Sequence, residues 1–527
     1  MGKYDKFLEA RLSAGRWALG SDLSLALITK FKVEPENARK IVQRAADQGV
    51  IVSSKPLSFG KGQFLYLRKD QFFGRIMVRE VAAKHRKPLY RLLELLERTM
   101  VVSFYEGLKI TSSTEEKTST KISLLVDMLD DLEKLKLVAT RKDRRGIHYI
   151  LLRQGGDLQS TESTYEALME VHFQSMQLDA MFIPDVLRWL RSLNLVGLGA
   201  AYRNVSAPAT GVKHNNILWD AFAYSKTTGI NPFVAAQADS IAKQTLVPLD
   251  VVISRKYLQV DLDAYLARIQ ININSAKMAG RKVMPVVVYQ EIDEMTLNSM
   301  KKLGFLSLDI NILFGRNFTE IIDKVRDMYS GFHEVDLGNT VEQALQLIDQ
   351  SGHSDQLKSL RGALFEALLA PVVAHFYPNA QLLQGKKLTD PTSGKSREFD
   401  LVIISSHPKE VMLVELKGYA GKSLIPVGTA EDKDTLRYFF RGSVPIAQNY
   451  YKGDKSLEHH RVSAAYITSG RYHEDAGKFI RKVGSSTLRP SRLEMFYDGP
   501  LLEKLLNENG FEHQAKIIKQ FYLDGRG

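Results

Sequence analysis

The sequence predicts a multidomain α/β chain, and three observations carry that expectation. The length of 527 residues corresponds to about three or four domains at roughly 150 residues each. The first 153 positions twice spell helices followed by a short strand pair. The remainder alternates buried-type strands with amphipathic helices, the pattern of α/β units. Two N-terminal α+β domains are expected at 1–75 and 76–155. A middle α/β domain is expected at 160–335, and a C-terminal α/β domain with a mixed central sheet at 340–527.

Charge divides the chain as sharply as pattern does. Lys and Arg total 72 and Asp and Glu total 60, a net charge of +12. Residues 1–153 hold 30 basic against 18 acidic side chains, and 154–527 hold 42 against 42, so the whole excess lies in the first segment. A basic arm on a neutral body suits binding to a polyanion. Cysteine is absent, which removes disulfides, thiol nucleophiles and cysteine-ligated metal sites. No run of about 18 apolar residues occurs, and the opening MGKYDKFLEARLSAGRW lacks the apolar core of a secretory signal. A reducing cytoplasm, without membrane association, is the expected setting.

In the first unit, Leu23–Phe31 has helical apolar spacing. After the turn at Val33–Glu36, a second helix runs from Glu36 to about Gln48. It places Ala38, Ile41, Val42 and Ala45 inward, with Arg39, Lys40 and Arg44 on other faces. Gly49 is its C-terminal cap. Strands at Val50–Val52 and Gln63–Leu67 flank a loop carrying Lys55 and Lys61. The second unit repeats the plan with helices at Pro88–Arg98 and Ser119–Leu135. Strands at Val138–Thr140 and Ile147–Leu151 flank a basic turn with Arg141, Lys142, Arg144 and Arg145; Lys121 lies on the preceding helix.

This order of helices and hairpin resembles tandem winged-helix domains. The resemblance implies a helix in a DNA groove and a wing against phosphate. Arg39, Lys40, Arg44, Lys55 and Lys61 would serve the first copy, and Lys121, Arg141, Lys142, Arg144 and Arg145 the second. Such contacts give affinity without sequence preference. Use of the same units for protein contact is the alternative.

The middle segment reads as strands Leu218–Tyr224, Leu246–Tyr257, Val283–Tyr289 and Leu306–Leu313, with helices at Leu262–Met278 and Glu294–Leu303. In the C-terminal segment Arg361–His375 is a largely apolar helix carrying Glu366, with Pro371 a candidate kink. Arg397–Ile404 is a strand with Asp400 at the start of its apolar stretch. Val411–Lys417 is the next strand, and its alternation sends Glu415 and Lys417 to one face. Carboxylates at the edge of adjacent buried strands need compensation. A divalent cation is the natural one, Mg2+ or Mn2+, held by Asp400 and Glu415 with water and substrate phosphate. Lys417 would stabilise developing charge or help to deprotonate a water, and Glu366 would add a ligand or orient the lysine.

Glu366, Asp400 and the Glu415-x-Lys417 pair, in that order, resemble the PD-(D/E)xK nuclease superfamily. Gly362-Ala363-Leu364-Phe365-Glu366, the strand into Thr468-Ser469-Gly470, and Phe496-Tyr497-Asp498-Gly499 before Leu501-Leu502 are similar to Mrr-like restriction endonucleases. The resemblance implies a metal-dependent DNA endonuclease in a prokaryotic restriction or defence role. It further implies a homodimer for double-strand cutting and additional defence subunits as partners. A DNA-binding regulator or scaffold with a vestigial nuclease fold, and an RNA-directed nuclease, are the competing readings.

The middle segment parallels the C-terminal one. Laying Asp220 on Asp400 puts Ser254 on Glu415 and Lys256 on Lys417. That would be a degenerate copy without its metal-binding carboxylate; an unrelated α/β spacer is the alternative.

Overall fold

A computed structural model describes residues 2–13, 16–60, 62–114, 124–153, 158–225, 244–274, 282–315, 317–329, 336–419 and 423–524. The protein is a mixed α/β structure with several small sheets and two larger mixed sheets. Among the described residues no helix is long and apolar enough to cross a membrane.

The first unit has helices Lys3–Arg11, Gly20–Phe31 and Pro35–Asp47. Pro35 starts the third helix, where its missing N–H costs nothing. Ala38, Ile41, Val42 and Ala45 are buried as the spacing predicts, and Gly49 adopts φ +69° just beyond the helix. Ala18–Leu19, Ile51–Ser53 and Leu65–Arg68 form an antiparallel sheet with Leu65–Arg68 in the centre.

The second unit has helices Arg75–His85, Lys87–Thr99, Phe104–Thr111 and Leu125–Lys134. Its sheet places His148–Leu152 between Val101–Ser103 and Val138–Lys142. The helix Phe104–Thr111 was not expected from sequence. Ser103 caps it in a reciprocal box with Glu106. Leu57 and Phe59 of the first unit share one core with Leu92, Leu129 and Ile150 of the second, and Leu218, Val260 and Ala264 of the middle segment join them.

The middle sheet runs Ala201–Tyr202, Ala221–Ser225, Thr245–Val252, Val286–Tyr289, Leu306–Asp309. The first two pairings are antiparallel and the last two parallel. The C-terminal sheet runs Gln381–Thr389, Ser396–Ser406, Lys409–Lys417, Arg461–Thr468, Phe496–Tyr497. It too has two antiparallel pairings followed by two parallel ones. The sheets therefore share strand order and strand sense.

Element boundaries differ from expectation in places. Leu306–Leu313 is a strand only to Asp309, after which Ile310–Phe314 is helical, capped by the Asp309 carboxylate. Lys358–His375 continues as a helix through Pro371. The edge strand Gln381–Thr389 was missed, because its exposed lysines and glutamines give no apolar period.

Between the two sheets lie the helices Ile183–Ser192, Phe318–Tyr329, Leu337–Ser351 and Lys358–His375. Their apolar faces join Val247, Val286 and Val288 of one sheet to Leu401, Met412 and Val414 of the other in a single core. Asp185 ties the segments further. Its buried carboxylate accepts the N–H groups of Ser359 and Leu360, each at 3.0 Å, so it caps the Glu366 helix from outside that helix.

Candidate active site

Asp400, Glu415 and Lys417 meet near one end of the two central strands of the C-terminal sheet. The register Leu401↔Val414 sets Asp400 opposite Glu415. The Leu416 N–H donates to Asp400 Oδ2 at 2.7 Å, fixing that carboxylate across the strand gap. Lys417 Nζ lies 2.8 Å from Glu415 Oε1 and 3.5 Å from Asp400 Oδ2. All three side chains are only partly exposed, at 13–18%.

A break in the edge pairing helps to aim Asp400. Pairing proceeds through Gln384↔Leu401 and Lys386↔Phe399, with Gly385 at φ +56° between them. Leu383 and Leu388, five residues apart, face the same core, as do Phe399 and Val402, three apart. The two strands thus change side together around Gly385 and Asp400, without a shift of register.

The electrostatics are those of a site short of positive charge. Burial pushes Glu415 up to about 7; Lys417 opposes that rise and Asp400 adds to it. Burial, then Asp400, holds Glu366 well above the usual carboxylate range. Burial alone would lower Lys417, but Asp400, Glu415 and Glu366 outweigh it and hold the ammonium well above its ordinary value. Phe365 fixes the helix against the strand end: a Cβ on Gly418 would lie 2.4 Å from the Phe365 Cβ.

Glu398 borders the site. It accepts hydrogen bonds from Asn204 and Ser206 of the middle segment, and burial raises its carboxyl. Gly385 leaves room for that approach, since a side chain there would meet the Ser206 Cβ at 2.3 Å.

The middle sheet holds a near-replica. Ala221↔Leu249 sets Asp220 opposite Asp250, as Leu401↔Val414 sets Asp400 opposite Glu415. The Val251 N–H donates to Asp220 Oδ2 at 2.8 Å, matching Leu416 and Asp400. This register corrects the sequence alignment. Asp250, not Ser254, stands in the place of Glu415, and Val252, not Lys256, in that of Lys417. Ser254 lies past the strand end and donates its N–H to Asp179 at 2.7 Å, while Lys256 is exposed.

The replica's lysine comes from elsewhere. Lys109, on the Phe104–Thr111 helix, donates to Asp220 Oδ2 and lies 3.1 Å from Asp250 Oδ1. Tyr105 donates to Asp220 at 2.7 Å, and Arg203 Nε lies 2.9 Å from it. Arg268 donates to Asp250 at 2.6 Å and Tyr257 at 3.0 Å. Burial would raise Asp250, but Lys109 and Arg268 outweigh it and hold the carboxyl well below its usual range. A cavity of about 20 Å3 remains beside them, room for about one water. The middle centre is closed and compensated by its own chain.

Asp250 had a sequence signal, a lone carboxylate in the apolar run Thr245–Val252. Lys109 had none, because its partners are far away in sequence.

The N-terminal candidates are spread over two surfaces. Arg39, Lys40, Arg44 and Lys55 are exposed on the first unit, Lys40 beside Glu36 at 3.2 Å. Lys61 and Lys121 lie outside the described residues. In the second unit the basic turn rests on the helix Leu158–Met181. Arg145 donates to Glu170 at 2.7 Å and stacks over Phe173. Arg144 lies 3.5 Å from Glu170, and Arg141 3.7 Å from Glu162. Lys142 is exposed.

Comparison of the chain with protein-family models, with curated proteins and with solved structures finds no match.

Proposed function

We propose that the protein is a metal-dependent endonuclease that hydrolyses phosphodiester bonds in DNA. The observation that carries this reading is the convergence of Lys417 with Asp400 and Glu415, within 3.5 Å, on paired strands. In the middle sheet the same carboxylate pair is matched by Lys109, Arg203 and Arg268. In the C-terminal sheet Asp400 and Glu415, with Glu366 nearby, are offset by Lys417 alone among the described residues. That imbalance and the raised Glu415 fit a hard divalent cation.

Asp400 and Glu415 would hold Mg2+ or Mn2+. Among the described residues no third His, Cys, Asp or Glu is gathered with them as a shell, so water and substrate phosphate would complete it. A bound ion would supply Lewis acidity and a water of lowered pKa. Lys417 would place its ammonium against the scissile phosphate, where negative charge builds. Glu366, whose carboxyl burial raises, would orient the lysine or add a ligand.

The N-terminal units fit winged helices, with Arg39, Lys40, Arg44 and Lys55 turned to phosphate. The shared topology supports reading the middle block as a copy of the nuclease fold whose centre no longer cuts. A restriction or defence role, a homodimer and further subunits follow from the family resemblance. Plasmid, linear DNA and RNA incubated with the protein and Mg2+ or Mn2+ test the reading. Cutting of DNA that Glu415→Gln abolishes supports it; identical behaviour of wild type and variant with every metal overturns it.

A further inference from the structure

The charge-neutral C-terminal body contains a local basic hollow. The edge hairpin Gln381–Thr389/Ser396–Ser406 ends in a turn that Asp390 organises. Its carboxylate accepts from the Thr392 N–H at 2.9 Å, Ser393 Oγ at 2.7 Å and Asn449 Nδ2 at 3.2 Å. The last contact ties the turn to the helix Val444–Lys452 and leaves a cavity of about 330 Å3 between them.

Lys395, Arg397 and Arg441 line this cavity. Lys395 and Arg441 are exposed. Arg397 lies over the Tyr438 ring at 5.1 Å, and its buried Nε has no hydrogen-bond partner. Two carboxylates also line the wall, Asp390 and Glu431. Asp390 is already committed to the turn, whose hydrogen bonds hold it down at about 2. The hollow therefore presents a cationic rim with an arginine placed over an aromatic ring, a chemistry suited to phosphate. Asp400 lies three residues past Arg397 on the same strand, about 10 Å away. That is the rise of about three base pairs.

We propose that this cavity binds a backbone phosphate of the nucleic-acid strand and leads that strand toward Asp400, Glu415 and Lys417. The proposal rests on the nuclease reading for its direction, but binding at the hollow is measured without cleavage.

Fluorescence anisotropy of a labelled DNA duplex with the full-length chain in EDTA tests it, comparing wild type with Lys395→Glu/Arg441→Glu. The double variant is expected to bind at least about tenfold more weakly. Its plot of log affinity against log salt should be shallower by about one, since each phosphate contact contributes about 0.9. Circular dichroism of the double variant, whose two altered residues are exposed, controls for folding. A second arm adds inorganic phosphate at constant ionic strength. Displacement of DNA no better than by chloride is expected for a strand site. Phosphate binding that the double variant abolishes while DNA affinity stays unchanged would show a free-anion site and overturn the proposal. Unchanged DNA affinity and salt slope, or no DNA binding by wild type, would overturn it as well. Loss of cutting in Glu415→Gln with normal DNA binding separates failure at this hollow from failure of the nuclease reading.

Discussion

Lys109 and Lys417 make corresponding contacts at the two large sheets, each bridging a pair of carboxylates on facing strands. Lys417 comes from its own strand, whereas Lys109 arrives on a helix of the N-terminal segment. A pair of carboxylates on facing strands is thus offset by one lysine in one sheet and by Lys109, Arg203 and Arg268 in the other.

Removing Lys109 should therefore damage folding rather than chemistry. Lys109→Met leaves Asp220 and Asp250 with one cation fewer in a buried setting. Breaking a buried pair from one side costs about 3–5 kcal/mol. Urea unfolding should show that loss as a lower midpoint, and a loss under about 1 kcal/mol would refute the assigned role.

Changes at the C-terminal centre should do the reverse. Glu415→Gln or Lys417→Ala is expected to lower cleavage at least about 100-fold, the size of one general acid–base or charge-stabilising contribution. Thermal stability of Glu415→Gln should stay near wild type or rise, because a raised buried carboxyl is removed. Cleavage that survives both substitutions would exclude this centre.

Acid should loosen the middle centre. Asp250 titrates below its unfolded value, which is about 3.9. A depressed carboxyl stabilises the fold fully above the unfolded pKa, and that contribution fades as pH falls through the folded one. Chemical denaturation at pH 6, 4 and 3 should show falling stability. Asp250→Asn should be less stable at pH 6 and flatten part of that dependence.

The contact over the site's border rests on a missing side chain. Gly385→Ala forces a left-handed residue to carry a Cβ that would strike Ser206. A cost of about 1–3 kcal/mol is expected from the strain and displacement. Proteolysis should become faster in 201–211. Unchanged stability and protection would argue against the contact.

The meeting of Asp400, Glu415 and Lys417 was legible because it is local. Asp400, Glu415 and Lys417 lie on successive strands whose alternation can be read directly, and Glu366 sits on an apolar helix nearby. The basic first unit was legible for the same reason: its helix Pro35–Asp47 obeys a simple period. The replica was readable only as far as Asp220. Sequence spacing pointed to Ser254 and Lys256, but register depends on where strand Thr245–Val252 stops, and a side chain from another segment supplies the lysine. The edge strand Gln381–Thr389 was hidden because an edge lacks the burial that creates a pattern.

Asp185 carries a consequence for how this architecture can change over time. The helix bearing Glu366 begins on that carboxylate and packs into a core common to both sheets. A C-terminal block transplanted alone would arrive with an uncapped helix and a bare apolar face. The C-terminal sheet is consequently not a portable cassette: the two sheets must be inherited together.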